Sequence, residues 1–150
     1  MNIKLKKADF EDIEFLWYLR NIPEYYRYYK QPKPVEWEEH INWVMPILLG
    51  VDKRDLFVVM VEDIKAGQVR VDYEVDSAEI SISLVESFRG KGVGFTALEK
   101  AIEKAKKEKD VKTFRAYVHQ DNIASQKLFE KLGYQNEMQD GIWIKYVKRI

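Results

Sequence analysis

Glu79-Ile80-Ser81-Ile82-Ser83-Leu84-Val85-Glu86-Ser87-Phe88-Arg89-Gly90-Lys91-Gly92-Val93-Gly94 is the stretch whose reading sets the fold. Its first half alternates polar with aliphatic residues, the mark of a strand with one face buried and the other turned to something polar. Its second half places glycines at 90, 92 and 94 directly before Leu98, Ile102 and Ala105, whose spacing predicts an amphipathic helix. Glycine tolerates dihedrals closed to other residues and lets a ligand approach the chain, so this turn can aim several backbone N–H groups at one point. Arg89 and Lys91 add charge, and the helix dipole adds to it, making an anion cradle. The plain alternative is a basic surface turn that caps a helix.

Upstream, Leu56 to Val61 is β-branched and apolar, and Gln68 to Tyr73 alternates cleanly. With a turn around Asp63 to Gly67 they predict an antiparallel hairpin that pairs on with Glu79–Leu84. Further back, Trp37, Ile41, Val44 and Leu48 recur at helical spacing, with Pro46 expected to bend or end that helix early. The segment from Asn21 to Pro34 carries three prolines and four tyrosines and reads as a loop with a helical turn. Asp9 reads as an N-cap with Asp12 at the third helical position, opening a helix to about Arg20 after a short strand near Ile3 to Leu5.

Downstream, Thr113 to Val118 reads as a strand, and Ala124, Leu128, Phe129 and Leu132 mark a helix closed by Gly133. Asp140-Gly141 signals a final hairpin of the type I′ kind. The predicted order is strand, two helices, three antiparallel strands, helix, strand, helix, hairpin. That is an α+β fold with a mixed, mainly antiparallel central sheet flanked by helices, in one domain over residues 1–150.

Composition narrows the function. The 150 residues carry 25 basic and 25 acidic side chains, so no bulk electrostatic attraction draws the chain to nucleic acid. Any anion must be bound locally. Without cysteine there is no disulfide, thiolate metal site or cysteine nucleophile, and no metal is expected. No window approaches a membrane span and the first residues lack the apolar core of a signal peptide, so no membrane partner is expected and the cytoplasm is the default location.

Two phosphate motifs fail on context. A P-loop needs Gly-Lys-Ser/Thr, which is missing. Gly92 to Ala97 fits G-x-G-x-x-A in letters, but antiparallel strands precede it and too little chain follows for a parallel βαβ series.

Arg89-x-x-Gly92-x-Gly94 after that alternating strand resembles the [Gln/Arg]-x-x-Gly-x-[Gly/Ala] signature of the GNAT superfamily of N-acetyltransferases. Asn122-x-x-Ser125-x-x-x-Phe129-x-x-x-Gly133-Tyr134 resembles a second motif of the same family. The element order suits that fold over nearly the whole chain. The resemblance implies acetyl-CoA as co-substrate and transfer to a primary amine by direct attack on the thioester. It assigns the pyrophosphate to the amides of Arg89, Gly90, Lys91, Gly92, Val93 and Gly94, and the pantetheine arm to the strand end at Leu84 and Val85, with an N–H there as oxyanion donor. Asn122 holds the arm from the opposite strand, or simply caps its helix.

An alkylamine is mostly protonated at neutral pH, so a base is needed. The family resemblance makes Glu79 the leading candidate, against its being a solvated strand residue. His40 and His119, the only histidines, sit in no compelling motif. In much of the family a tyrosine stands where this chain has Phe129 and protonates the departing thiolate. Here the thiolate leaves unassisted, or a hydroxyl such as Tyr117 or Tyr134 substitutes.

Arg20-Asn21 through Glu39-His40 resembles the pattern of GNAT enzymes that acetylate nucleotide-linked amino sugars. Arg20, Asn21, Tyr25 and His40 are the acceptor-site candidates. Aromatic rings there can stack on a sugar or base, and a core role or a homodimer interface is the competing use. Three readings stay open: a small-molecule acceptor such as an amino sugar or nucleotide-linked amino sugar, a protein or peptide amine, and a non-catalytic acyl-CoA-binding module.

Overall fold

In the computed structural model, which describes Met1–Ile150, one sheet of seven strands runs through the molecule. The strands are β1 (Ile3–Lys7), β2 (Asp55–Val61), β3 (Ile64–Tyr73), β4 (Ser77–Leu84), β5 (Thr113–His119), β6 (Gln135–Asp140) and β7 (Trp143–Arg149). The helices are α1 (Ile13–Arg20), the short α2 (Pro23–Tyr26), α3 (Trp37–Leu48), α4 (Val93–Lys109) and α5 (Ile123–Lys131). The order across the sheet is β1-β2-β3-β4-β5-β7-β6, antiparallel except between β4 and β5. The α+β arrangement and the element order agree with the sequence reading.

Alternation along the strands supplies two cores. Phe57, Val59, Val69, Val71, Ile80, Phe114, Ala116 and Val118 join α4 and α5 on one face of the sheet. Leu56 and Val58 join Leu16, Val44 and Ile47 of α1 and α3 on the other. Burying such side chains on both faces is what holds the central strands in register.

The start of α1 is anchored electrostatically. Asp9 accepts the Glu11 N–H at 3.0 Å and Asp12 accepts the Asp9 N–H at 2.9 Å, a reciprocal cap. Asp12 is fully buried and paired with Lys6 at 2.6 Å and Lys65 at 2.8 Å, tying the helix to β1 and β3. Burial alone raises its proton affinity, but the hydrogen bonds from Lys6, Lys65 and the Asp9 N–H outweigh that and hold the carboxyl below its ordinary range.

Three local expectations need correction. Pro46 does not end α3 early: the helix runs on to Leu48, giving up the hydrogen bond to the Asn42 carbonyl while Val44 and Ile47 hold it in the core. The β2–β3 turn is Glu62-Asp63 alone, and β3 already begins at Ile64, with a bulge absorbing the extra residue near Ala66. In the last hairpin, Asp140 pairs with Trp143, so the loop is Gly141-Ile142. Only Gly141 has a positive φ, of 60°, whereas type I′ requires two such residues; the pattern is that of type II′.

Candidate active site

The parallel pairing of β4 with β5 is short. It covers Ser77 to Glu79 against Thr113 to Arg115, and beyond it each strand continues without the other. A cleft of about 390 Å³ opens there, bounded by β4, β5, α1, the Tyr25–Lys30 segment and the first turn of α5.

Hydrogen-bond parity decides which backbone groups face the gap. Glu74 N–H donates to the Ser77 carbonyl at 2.9 Å and Val85 N–H to the Ala66 carbonyl at 2.7 Å. An antiparallel ladder alternates, so Glu79, Ser81, Ser83 and Val85 turn their amides toward β3. Ile80, Ile82 and Leu84 turn theirs toward β5, which has left by Ile82. Of the two strand-end residues expected to offer that N–H, Val85 has its amide taken, while Leu84, with Ile82 before it, carries the open edge. The side chains follow the same alternation: Ile80, Ile82 and Leu84 pack toward α4, while Glu79, Ser81 and Ser83 line the acceptor side.

Gly67 explains how β4 comes so close to β3 at this edge. A Cβ there would lie 2.2 Å from the Ser83 carbonyl oxygen. The sequence reading put Gly67 in a turn; a glycine inside an otherwise alternating strand run was the available signal of close backbone approach.

The glycine turn meets the same corner. Gly90 and Gly92 have φ of 72° and 80°, a region that favours glycine, and Gly92 caps α4 in the left-handed conformation. No acceptor in the protein takes the N–H groups from Gly90 to Phe95; the next, of Thr96, bonds the Gly92 carbonyl at 3.2 Å. Gly94 is buried against Leu84, Ile82 and Leu128, which seats the helix start on β4. Arg89 lies over the ring of Tyr25 at 4.2 Å and lines the cleft, and Lys91 is exposed on the turn. Free amides, a helix dipole and two cations at one point fit a diphosphate, and the open strand edge beside them fits an amide-containing arm.

Of the catalytic candidates, Glu79 and Tyr117 line the cleft. Tyr117 has Lys30 over its ring at 5.4 Å. Tyr134 does not reach the cleft: it is buried behind Phe129, edge-on at 5.0 Å, with a hydroxyl lacking any partner and burial pushing its proton affinity up. Phe129 lines the cleft floor and Asn122 its rim, where the Asn122 side chain accepts the Ser125 N–H at 3.2 Å as an N-cap. His119 lines the cleft between Tyr28 at 5.4 Å and Trp143 at 5.5 Å, and its Nδ1 accepts the Asp121 N–H at 3.0 Å.

The acceptor candidates divide. Arg20 and Tyr25 line the cleft; Asn21 and His40 do not. Asn21 staples the loop, donating to the Trp17 carbonyl at 2.9 Å and accepting the Val35 N–H at 2.7 Å. His40 is fully buried. Its Nε2 sits 2.9 Å from the Ile13 carbonyl and its Nδ1 3.1 Å from Arg20 Nη1. Arginine only donates, so Nδ1 accepts and the proton is on Nε2. Burial first, then the Arg20 charge, lowers the proton affinity of His40, only partly opposed by the bond to Ile13. His40 thus aims Arg20 rather than touching a ligand. Trp43, which is not among the four acceptor candidates, lies under the Arg20 guanidinium at 4.5 Å.

Residues 2–135 match the profile of the Acetyltransferase (GNAT) domain. The chain belongs to the GNAT acetyltransferase family. An uncharacterized N-acetyltransferase of Methanocaldococcus jannaschii is 29% identical over 150 residues, covering 95% of this chain and 62% of the relative. The chain spans less than two thirds of the length of the curated relatives it matches. A crystal structure of a domain from the same organism superposes with a TM-score of 0.88 at 26% identity, covering 99% of each chain. A spermidine N-acetyltransferase from Vibrio cholerae, solved with CoA and spermine, superposes with a TM-score of 0.83 over 98% of this chain and 95% of its own. At 18% identity that likeness speaks for the fold alone.

No group of three or more His, Asp or Glu side chains gathers to hold a metal ion, and no helix is long and apolar enough to cross a membrane.

Proposed function

We propose that the protein is an acetyl-CoA-dependent N-acetyltransferase whose acceptor is a primary amine on a small molecule, an amino sugar or nucleotide-linked amino sugar being the reading the sequence favours. The observation that carries this is the open β4 edge running into a series of unpaired amides from Gly90 to Phe95. The pyrophosphate binds those amides with Arg89 and Lys91, and Asn122 and Phe129 border the arm from the α5 side. The arm pairs with the edge, and an N–H of Ile82 or Leu84 faces the thioester oxygen.

Glu79, whose carboxylate has no ion-pair partner, takes a proton from the amine, directly or through water, and the neutral nitrogen attacks the thioester carbon. The oxyanion that forms is stabilised by the edge N–H, a contact strongest once charge has developed. As the C–S bond breaks the nitrogen gives up its second proton to water, and CoA leaves as the thiolate, which takes a proton from the Tyr117 hydroxyl or from water. The aromatic lining from Tyr28, Tyr29, Trp43 and Trp143 supports a ring-bearing acceptor. A basic peptide is disfavoured by the cations around Glu79.

The test is thiol release from acetyl-CoA against a panel of amino sugars, nucleotide-linked amino sugars, polyamines and basic peptides, with Glu79→Gln beside the wild type. Turnover that falls on the order of 100-fold in Glu79→Gln at neutral pH, and recovers as pH rises, supports the assignment. CoA binding without thiol release from any amine favours the acyl-CoA-binding module instead, the reading that Phe129 keeps open.

A further inference from the structure

Arg20 ends α1 inside the cleft, half-buried, and forms no ion pair. Its one polar partner, His40, is neutral and so orients the guanidinium without cancelling its charge. Burial is the largest influence on that charge, and Glu39 and Tyr29 offset it only from a distance. Trp43 supports the guanidinium face at 4.5 Å and stands 6.0 Å from the guanidinium of Arg70.

The cleft lining holds four cations, Arg20, Lys30, Arg70 and Arg89, against the single carboxylate of Glu79. Two of the four are accounted for. Arg70 is paired with Asp72 at 3.2 Å, and Arg89 lies on Tyr25 beside the glycine turn. Arg20 and Lys30 remain, neither with a carboxylate partner, Lys30 exposed at the cleft and lying over Tyr117 at 5.4 Å, in a chain whose net charge is zero. A guanidinium held partly out of water by a buried neutral imidazole and an indole is a costly arrangement with no internal counterion. Its planar fork matches a carboxylate or phosphate bidentately.

We infer that the acceptor carries an oxyanion, a carboxylate or a phosphate, on the same molecule as the amine, and that Arg20 binds it with Lys30 while Glu79 meets the nitrogen. The inference rests on the transferase reading for the identity of the second group, and it narrows that reading. Polyamines and other polycations bring charge of the wrong sign to this side of the cleft. Free amino sugars lack the anchoring group.

Matched pairs test it: glucosamine against glucosamine 6-phosphate and against a nucleotide-linked amino sugar, and an amino acid against its methyl ester. Binding of each to the CoA complex is measured by calorimetry, with Arg20→Gln and Arg20→Lys beside the wild type and CoA affinity as the check that each variant is folded. Within at least one pair the anionic member should bind ten- to a hundredfold tighter, the worth of a charge-assisted contact. Arg20→Gln should remove that preference and Arg20→Lys should keep part of it. The phosphate and carboxylate arms separate the two anion sources. Equal affinities within every pair, tighter binding of spermidine, or an undiminished preference in Arg20→Gln overturns the inference. Thiol release on the same panel reports separately on the transferase reading, since anion-dependent binding without transfer leaves this inference standing and removes the other.

Discussion

Gly67→Ala tests whether the open edge of β4 is the working part of the cleft. The added Cβ would meet the Ser83 carbonyl oxygen at 2.2 Å and the Leu84 Cα at 2.9 Å. Both are backbone atoms, so no side-chain rotation relieves the clash. To reach ordinary contact at 3.4 Å, the Ser83 carbonyl must retreat by about 1.2 Å, carrying with it the Leu84 amide that faces the gap. Overpacking of this kind costs about 2 kcal/mol, which for a domain of this size lowers Tm by roughly 4–8 °C. A shift of about 1 Å in a positioning group costs on the order of 100-fold in rate.

The expected result is therefore a modest loss of stability with a disproportionate loss of kcat/KM for acetyl-CoA, assayed by thiol release well below either Tm. Ile47→Val, in the other core beneath α3, is the control. It should cost about 1 kcal/mol and leave kcat/KM unchanged. If Gly67→Ala keeps kcat/KM within about twofold of wild type while its Tm falls as stated, the edge does not position the thioester and the reasoning fails.

Asp12→Asn should cost about 2 kcal/mol in urea unfolding at pH 7, because it removes the charge-assisted bonds from Lys6 and Lys65, whose ammonium groups keep access to water. The folded carboxyl titrates below its unfolded value, so its contribution is full above about pH 4 and disappears as pH falls through the depressed folded value; Asp12→Asn should lack that acid limb. His40 has the opposite chemistry and the same sign. Its folded proton affinity is depressed, so the unfolded chain binds the extra proton, and stability should fall as pH drops below about 6.5 toward the folded value. His40→Ala should flatten that slope and raise KM for the acceptor more than it lowers kcat, as calorimetry and steady-state kinetics can check. Tyr134→Phe should leave kcat unchanged and cost little stability, since it deletes a buried hydroxyl with no partner. Tyr117→Phe should lower kcat by about 10²-fold if its hydroxyl serves the thiolate, and equal rates for the two variants would remove Tyr117 from that role.

Much of the architecture was legible because it rests on local periodicity. Alternation in Glu79–Leu84, the glycines at 90, 92 and 94, and helical spacing from Leu98 to Ala105 each encode backbone conformation within a few residues. The boundaries that were misread, at Ile64 and at Gly141-Ile142, depend on which residues pair across strands, and pairing is not a property of either strand alone. That Pro46 would not end α3 was hidden for a related reason, since packing of Val44 and Ile47 against other elements holds the helix past the bond it loses.

The sequence by itself determined the fold class, the glycine turn that opens α4 and the residues of the polar strand face, because these follow from dihedral preference and period. Only the tertiary structure decided which amides are free, removing Val85 from the expected pair, keeping Leu84 and adding Ile82, since ladder parity is set by the partner strand β3. It also separated Arg20 in the cleft from His40 and Asn21 behind it, and Tyr117 from Tyr134. Residues far apart in the chain share one cleft only after α1, α3 and the two diverging strands have packed. Whether a polar side chain meets a ligand or a neighbour is fixed by that packing and not by its own identity.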